Sequence, residues 1–368
     1  MSSSETVVSI NGGNIIGRHQ SPSADRPQAL DVFHDIVYAR TPTRFQPAEA
    51  IPPVSPGETV RADRCPGPSQ PQVLAEGIRQ EGDVRLHVMR TCRCSDGKLL
   101  PVVVYLHGGG FNFGGPLERD FGGAGAHSIG HHLVSPLPLP LPVRKAILES
   151  GAPTARSVLS AAHPRPVGQL ASLRRHLGAS YLSQAPLDAL LSAAGSVWAE
   201  NATAVTWPFQ PVVDGNLIPD LPCRLVRGVS DGVALLTGFC SHEGAGFLER
   251  GEDFKAFFGN LIPGIDMVGL EELYPADMMT TTVTRAQLAY GDYAYIAPVL
   301  HTACCLARAG ARVYVYEYSA AAAPLSAASH GDHMAVSACE ADMLRGRPGL
   351  AAVGSAMAER WTAFAARE

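Results

Sequence analysis

At 368 residues, 46% of them hydrophobic, the chain can bury a large core and suits one α/β domain over residues 1–368 better than several small ones. Its net charge of −5, with 17% charged residues and no basic cluster, argues against a nucleic-acid partner. No apolar run is long enough to span a bilayer, and the start, MSSSETVVSINGG, lacks the basic-then-apolar pattern of a secretory signal, so a soluble cytoplasmic protein is expected. Eight cysteines are scattered along the chain; Cys92 and Cys94 form a C-x-C with no second pair at zinc spacing, so reduced thiols and no metal are expected.

Residues 6–16, TVVSINGGNII, pattern as a hairpin turning at residues 11–14. Residues 46–72 are proline-rich and aperiodic, as in a long surface loop. Residues 85–88 and 102–106 are the next strands; the second, VVVYL, is an unbroken apolar run of the kind buried on both faces of a parallel sheet. It leads at once into His107-Gly108-Gly109-Gly110. Glycines at the carboxyl end of such a strand let backbone N–H groups converge on one point, as the oxyanion of an acyl-transfer intermediate requires. By itself HGGG fits a glycine-rich turn without chemistry equally well.

Residues 124–133 form a helix of small side chains, with His127 and His131 four apart and His132 beside them. The pair lacks the intervening glutamate of a zinc protease, and satisfied helix histidines are expected. Residues 136–142 alternate proline with leucine as a stiff connector, and residues 145–151, KAILESG, follow as a buried strand. Helices are expected over residues 168–177 and 186–200, the second with Leu187, Leu190, Leu191, Ala194 and Trp198 on one face. A hairpin on Asp214-Gly215 (residues 207–220) and a short strand (residues 233–236) come next. Residues 284–309 are mostly helical through Pro298, residues 313–318, VYVYEY, alternate as a late strand, and residues 349–368 are amphipathic and cap the sheet.

Several segments in fixed order resemble the type-B carboxylesterase/lipase family, the cholinesterase-like α/β-hydrolases, and within it the fungal intracellular branch. They are PVVVYLHGGGFNFG from Pro101, AGAHS from Ala124, WPFQPVVDGNLIPD from Trp207, GFCSHEGAGF from Gly238 and SHGDH from Ser329. Two early stretches, IVYA from Ile36 and Arg44-Phe45, resemble the family's I-P-Y-A and R-F, with Val37 for the proline. The resemblance implies a central, mostly parallel sheet flanked by helices. It also implies a serine-esterase mechanism without metal or cofactor: Glu243 orients the base, His330 is the base, and the N–H groups of Gly108, Gly109 and Ala124 hold the oxyanion. Glu243 just past a strand end, and the chain order elbow, acid, histidine, agree with that assignment. His333 stands where the family's H-G-x-E has its acid, which questions the loop geometry around His330. The family's first disulfide would use Cys65, but Asp83 stands at the partner position, as suits a reducing compartment.

The nucleophile is what the resemblance lacks. The family's G-E-S-A-G elbow puts serine before A-G-A-H-S; here Gly123 occupies that place, preceded by Phe121 and Gly122. Only residues 111–122 separate the oxyanion glycines from the helix, whereas each βαβ unit needs ~30 residues. Two central strands and the elbow are therefore expected to be missing, with a deletion junction near residues 115–124. Residues 228–232, GVSDG, match the bare G-x-S-x-G but precede a strand and are treated as a decoy. Ser128 lies one turn past the elbow, and Ser150 is the least implausible substitute nucleophile. The expectation is an impaired carboxylic ester hydrolase whose substrate would be a small-molecule ester. The alternatives are a non-catalytic cholinesterase-like binding protein and an active hydrolase using Ser150.

Overall fold

Residues 6–16 turn where their glycines allow. Asn11 and Gly12 take φ of 52° and 81°, the left-handed pair a tight hairpin requires. They join β1 (Ser4–Ile10) antiparallel to β2 (Gly13–Gln20). In the computed structural model, the described residues are 4–24, 26–64, 82–92, 100–112, 123–136, 143–156, 158–178, 181–202, 204–228, 232–249, 251–278, 283–321 and 327–366. They fall into two compact units, one of residues 1–103 with 181–187 and one of residues 104–180 with 188–368.

In the first unit, β2 pairs antiparallel with β3 (Leu30–Arg40), and β3 pairs with β4 (Glu49–Ala50) and with β6 (Asp83–Thr91). The short β5 (Thr59–Arg61) runs parallel to β2. Ile15, Phe33 and Ala62 form the small core of this sheet. The expected loop of residues 46–72 thus contributes two short strands, and Cys65, Cys94 and its end lie outside the described residues.

The second unit carries the parallel sheet. After α1 (Gly123–Val134), its strands are β7 (Lys145–Glu149), β10 (Ala234–Cys240) and β11 (Val313–Tyr318), in the order β11-β10-β7 and all parallel. Between β7 and β10 run β8 (Leu159–Ser160), α2 (Pro164–Leu177), α3 (Leu187–Ala202), β9 (Val212–Val213) and α4 (Pro222–Leu225). Between β10 and β11 run α5 (Phe254–Leu261), α6 (Met267–Leu273), α7 (Arg285–Gly291) and α8 (Ala297–Arg308). The chain ends with α9 (Asp332–Ser337), α10 (Ala341–Leu344) and α11 (Pro348–Ala366).

Helices cover both faces of the sheet, because alternate strand residues point to opposite sides. Ala146 and Leu148 of β7 and Leu235 of β10 pack with Ala126 and Val134 of α1 and Leu306 of α8. On the other face Trp361 of α11 hydrogen-bonds Glu149, and its ring lies 4.8 Å from that of Tyr316. This is the sheet cap expected of the last segment. The long helical stretch also forms, opened by a Thr284–Gln287 capping box; a π turn (Asp292–Ile296) precedes α8, which carries Pro298 in its first turn.

Three expectations are corrected. Residues 102–106 form no strand: Val102, Val103, Val104, Tyr105 and Leu106 are 87%, 69%, 63%, 53% and 37% exposed. A parallel strand is buried by a neighbour on each side and a helix over each face, and residues 101–108 join no ladder. The segment around Asp214 turns as expected, its carboxylate accepting the N–H groups of Asn216 (2.9 Å) and Ile218 (2.9 Å), but no hairpin follows. Instead β9 lies parallel to β8. The buried face of α3 is Leu190, Ala193, Ala194 and Val197, rotated slightly from the one expected.

Candidate active site

Two loops at the carboxyl ends of parallel strands bring a carboxylate and an imidazole together, as such sheets do. Glu243 sits in the turn after β10 and is fully buried. Its Oε1 accepts the Cys240 N–H (2.7 Å) and the Ser150 hydroxyl (2.6 Å), while Oε2 faces His330 Nδ1 at 2.6 Å. Burial alone would push this carboxyl up. The facing His330 and the hydrogen bonds from His330, Ser150 and Cys240 outweigh it and hold the group below its ordinary value.

His330 lies between β11 and α9. The neighbouring Asp332 fixes that loop: its Oδ2 accepts the Ser329 N–H (2.9 Å) and hydroxyl (3.1 Å). The imidazole stacks on Tyr295, ring centres 4.1 Å apart, and Phe247 lies 5.4 Å away. Tyr295 is reached by the Arg156 guanidinium, which lies over the Trp207 ring. The substitution at His333 leaves this geometry intact. His333 is fully buried, 3.1 Å from Cys240 Sγ through Nδ1, and burial lowers its pKa to about 4, so it is a neutral packing residue.

Nδ1 of His330 being taken by Glu243, Nε2 is left to face the start of α1. A Cβ added at Gly123 would stand 2.6 Å from that Nε2. The expected acid, base and nucleophile positions therefore converge, and the third holds no side chain. The imidazole lies at less than contact distance from where a Cβ at residue 123 would be, so a side chain there requires it to shift.

The segment expected to bind an oxyanion is pinned beside the same helix end. A Cβ at Gly125 would meet Leu106 O at 2.1 Å and His107 O at 2.8 Å, so only glycine lets α1 approach this backbone. Gly109 has a φ of 97°, its carbonyl accepts the Asn112 N–H (3.0 Å), and the Asn112 amide donates to Gly110 O (2.8 Å) and Pro208 O (3.1 Å). Ala124 occupies the first turn of α1, where N–H groups have no intrahelical partner. Gly108, Gly109 and Ala124 thus come from two segments in contact.

The other candidates sort clearly. Ser150 is buried with φ 49°, and its hydroxyl is held by Glu243 rather than by the imidazole. Ser128 donates to Ala124 O (3.0 Å) within its own helix. Ser230 of the GVSDG decoy, Phe121 and Gly122 lie outside the described residues. His127 and His131 are buried; His127 Nδ1 faces Ala152 O (2.9 Å) and His131 bonds the Pro153 backbone, but the Nε2 of each has no hydrogen-bond partner among the described residues. Burial holds both imidazoles neutral, His131 down to about 4. Sequence reasoning missed Tyr295, Asn112 and the supporting role of Asp332. The spacing Ser329-x-x-Asp332 was the one available signal, since side-chain-to-backbone bonds three residues apart are common turn devices. Tyr295 sits in a helical stretch whose pattern says nothing of what it faces.

Comparison with known proteins bears on the family and the fold. The sequence profile of the carboxylesterase family matches in two pieces, residues 4–123 and 120–261. Secreted lipase 4 of Gibberella zeae is 27% identical over 241 residues, which are 56% of this chain and 43% of the lipase; the chain thus spans less than half that relative's length. The solved structure of PNB esterase superposes with a TM-score of 0.75 at 20% identity, over 98% of this chain and 91% of that one, which shows the α/β-hydrolase fold.

Proposed function

The chain belongs to the carboxylesterase family, and we propose that it is an ester hydrolase scaffold that keeps its acid–base pair and has lost its nucleophile. Glu243 orients His330 and stabilises its imidazolium; Gly108, Gly109 and Ala124 are the oxyanion donors; the position that attacks an ester carbonyl is Gly123. One observation carries this: His330 Nε2, oriented from behind by Glu243, lies 2.6 Å from the missing Cβ of residue 123. A general base aimed at a position without a hydroxyl has no proton to take there. In a serine protease, removing the nucleophile lowers kcat by ~10⁶, with ~10³–10⁴ over water remaining from binding and oxyanion donors.

We attribute the loss to a missing block of about two βαβ units between residues 112 and 123. The family profile breaks and restarts at residues 120–123, and the VVVYL run lies outside any ladder. Sequencing the message across residues 115–125 tests this, since a restored exon would encode G-x-S-x-G. A reducing, cytoplasmic setting is supported by Asp83, which pairs with Arg40 (2.8 Å) and Arg85 (3.0 Å) where the family has a half-cystine. Among the described residues no helix is long and apolar enough to cross a membrane.

The decisive experiment compares the purified chain with Gly123→Ser, using p-nitrophenyl acetate and a fluorophosphonate probe followed by peptide mapping. The unaltered chain should show no labelled serine and no turnover above the blank, and Gly123→Ser should be labelled at residue 123. A labelled serine with ordinary turnover in the unaltered chain would overturn the proposal.

A further inference from the structure

Away from the acid–base pair, the antiparallel sheet of the first unit assembles a second constellation. His19 on β2 stands directly opposite Asp31 on β3, and Asp31 is opposite Arg90 on β6. Cys92 follows two residues after Arg90, so alternation returns its side chain to the same face. The result is one imidazole nitrogen, one carboxylate oxygen and one thiol sulfur at a common vertex. Nδ1 of His19 lies 3.1 Å from Asp31 Oδ1, Cys92 Sγ lies 3.5 Å from that nitrogen, and Sγ lies 3.4 Å from that oxygen.

We propose that His19, Asp31 and Cys92 form a site for a borderline divalent transition ion of the zinc class. Zinc bonds of about 2.0–2.2 Å to nitrogen and oxygen and about 2.3 Å to sulfur put tetrahedral ligands ~3.3–3.6 Å apart, which is the size of this triangle. The donor chemistry selects the ion: a thiolate disfavours magnesium and calcium, while mixed N, O and S donors suit zinc. One carboxylate and one thiolate balance the 2+ charge, and the fourth position is open to water. His19 and Asp31 sit on paired strands and Cys92 directly follows a third, its N–H directed at Ala29 O (3.4 Å), so little ordering is needed on binding. Arg90 clamps the other carboxylate oxygen through Nη2 (3.0 Å) and Nε (3.2 Å), leaving Oδ1 turned to the site. Asp31 is buried, whereas Cys92 is exposed and carries a thiol rather than a disulfide, which gives an ion its path in. Binding displaces the thiol proton to solvent, and the imidazole proton that Nδ1 donates to Asp31 gives way to the Nε2–H tautomer, so that Nδ1 can ligate.

The test uses the full chain, reduced, titrated with Co²⁺ and then Zn²⁺. One equivalent of Co²⁺ should give the visible bands of a tetrahedral ion and a thiolate charge-transfer band in the near ultraviolet, both bleached by one equivalent of Zn²⁺. Zn²⁺ should raise the melting temperature and a chelator should reverse the rise. Cys92→Ser should remove the charge-transfer band, and His19→Gln should weaken Zn²⁺ binding at least ~10-fold. Cys223→Ser, at an exposed cysteine elsewhere, should change nothing. Absence of stoichiometric binding, or a charge-transfer band that survives Cys92→Ser, would overturn the site. Circular dichroism of each variant separates lost ligation from lost fold.

Discussion

Residues 102–106 and β10 read alike in the sequence and end differently in the fold. VVVYL and ALLTGFC are both apolar runs leading into turns that carry site residues. β10 has β7 on one side and β11 on the other, and Leu235 is completely buried. Residues 102–106 join no ladder, and Val102 is 87% exposed. Burial of a strand is a property of its neighbours, so equal local sequences reach unequal stability. The same contrast divides the candidate site. Glu243 and His330, served by β10 and β11, are held by three hydrogen bonds to the Glu243 carboxylate and two to that of Asp332. The HGGG segment is held through its loop end at Asn112 and through the close approach of α1.

The largest effect expected is on chemistry in a Gly123→Ser background. There His330→Ala should lower the rate with p-nitrophenyl acetate by about 10²–10⁴-fold, the usual worth of a positioned base. An unchanged rate would mean the acid–base half contributes nothing, and the contrast between the halves would lose its functional meaning.

Next comes stability within the well-partnered strand. Leu235→Ala should cost about 2–5 kcal/mol by denaturant unfolding, since the residue is fully enclosed by α1, α8 and β7.

Acid should then act through the buried histidines. Burial holds His131 and His333 at about 4, against an ordinary value of 6.5. Between those limits the unfolded chain binds protons that the folded chain refuses, so stability is present above pH 6.5 and is lost as pH falls toward 4. The loss is on the order of 3 kcal/mol for each group. Unfolding curves taken across that window should show it, and His333→Gln should remove about half of the part due to this pair. A flat profile would show that these sites open readily to water.

The smallest effect is the sharpest comparison. Val104→Ala should move stability by no more than about 0.5 kcal/mol, as for an ordinary exposed position. A loss near that of Leu235→Ala would mean the VVVYL run is buried in solution after all.

Much of the site was legible in order and type. AGAHS marked the start of α1, HEG and SHG marked the carboxylate and imidazole that the fold brings together, and the twelve-residue spacing is the ground of the proposed missing block. Those signals are local, because turn glycines and strand ends are written over a few consecutive residues. Asn112, Tyr295 and the Ser150–Glu243 bond were not legible, since each joins segments far apart in the chain. The hairpin expected at Asp214 failed for a related reason: its turn is local, but strand pairing is not.

By itself the sequence determined the family, the three strands that do pair in the parallel sheet, and which residues were candidates for acid, base and oxyanion donors. Only the tertiary structure decided that His330 points its second nitrogen at Gly123, that Ser150 serves the acid instead of the imidazole, and that VVVYL meets solvent. Motifs fix residue types through local backbone needs. Distances between loops, and the burial of a strand, depend on which other strands are there to pack against.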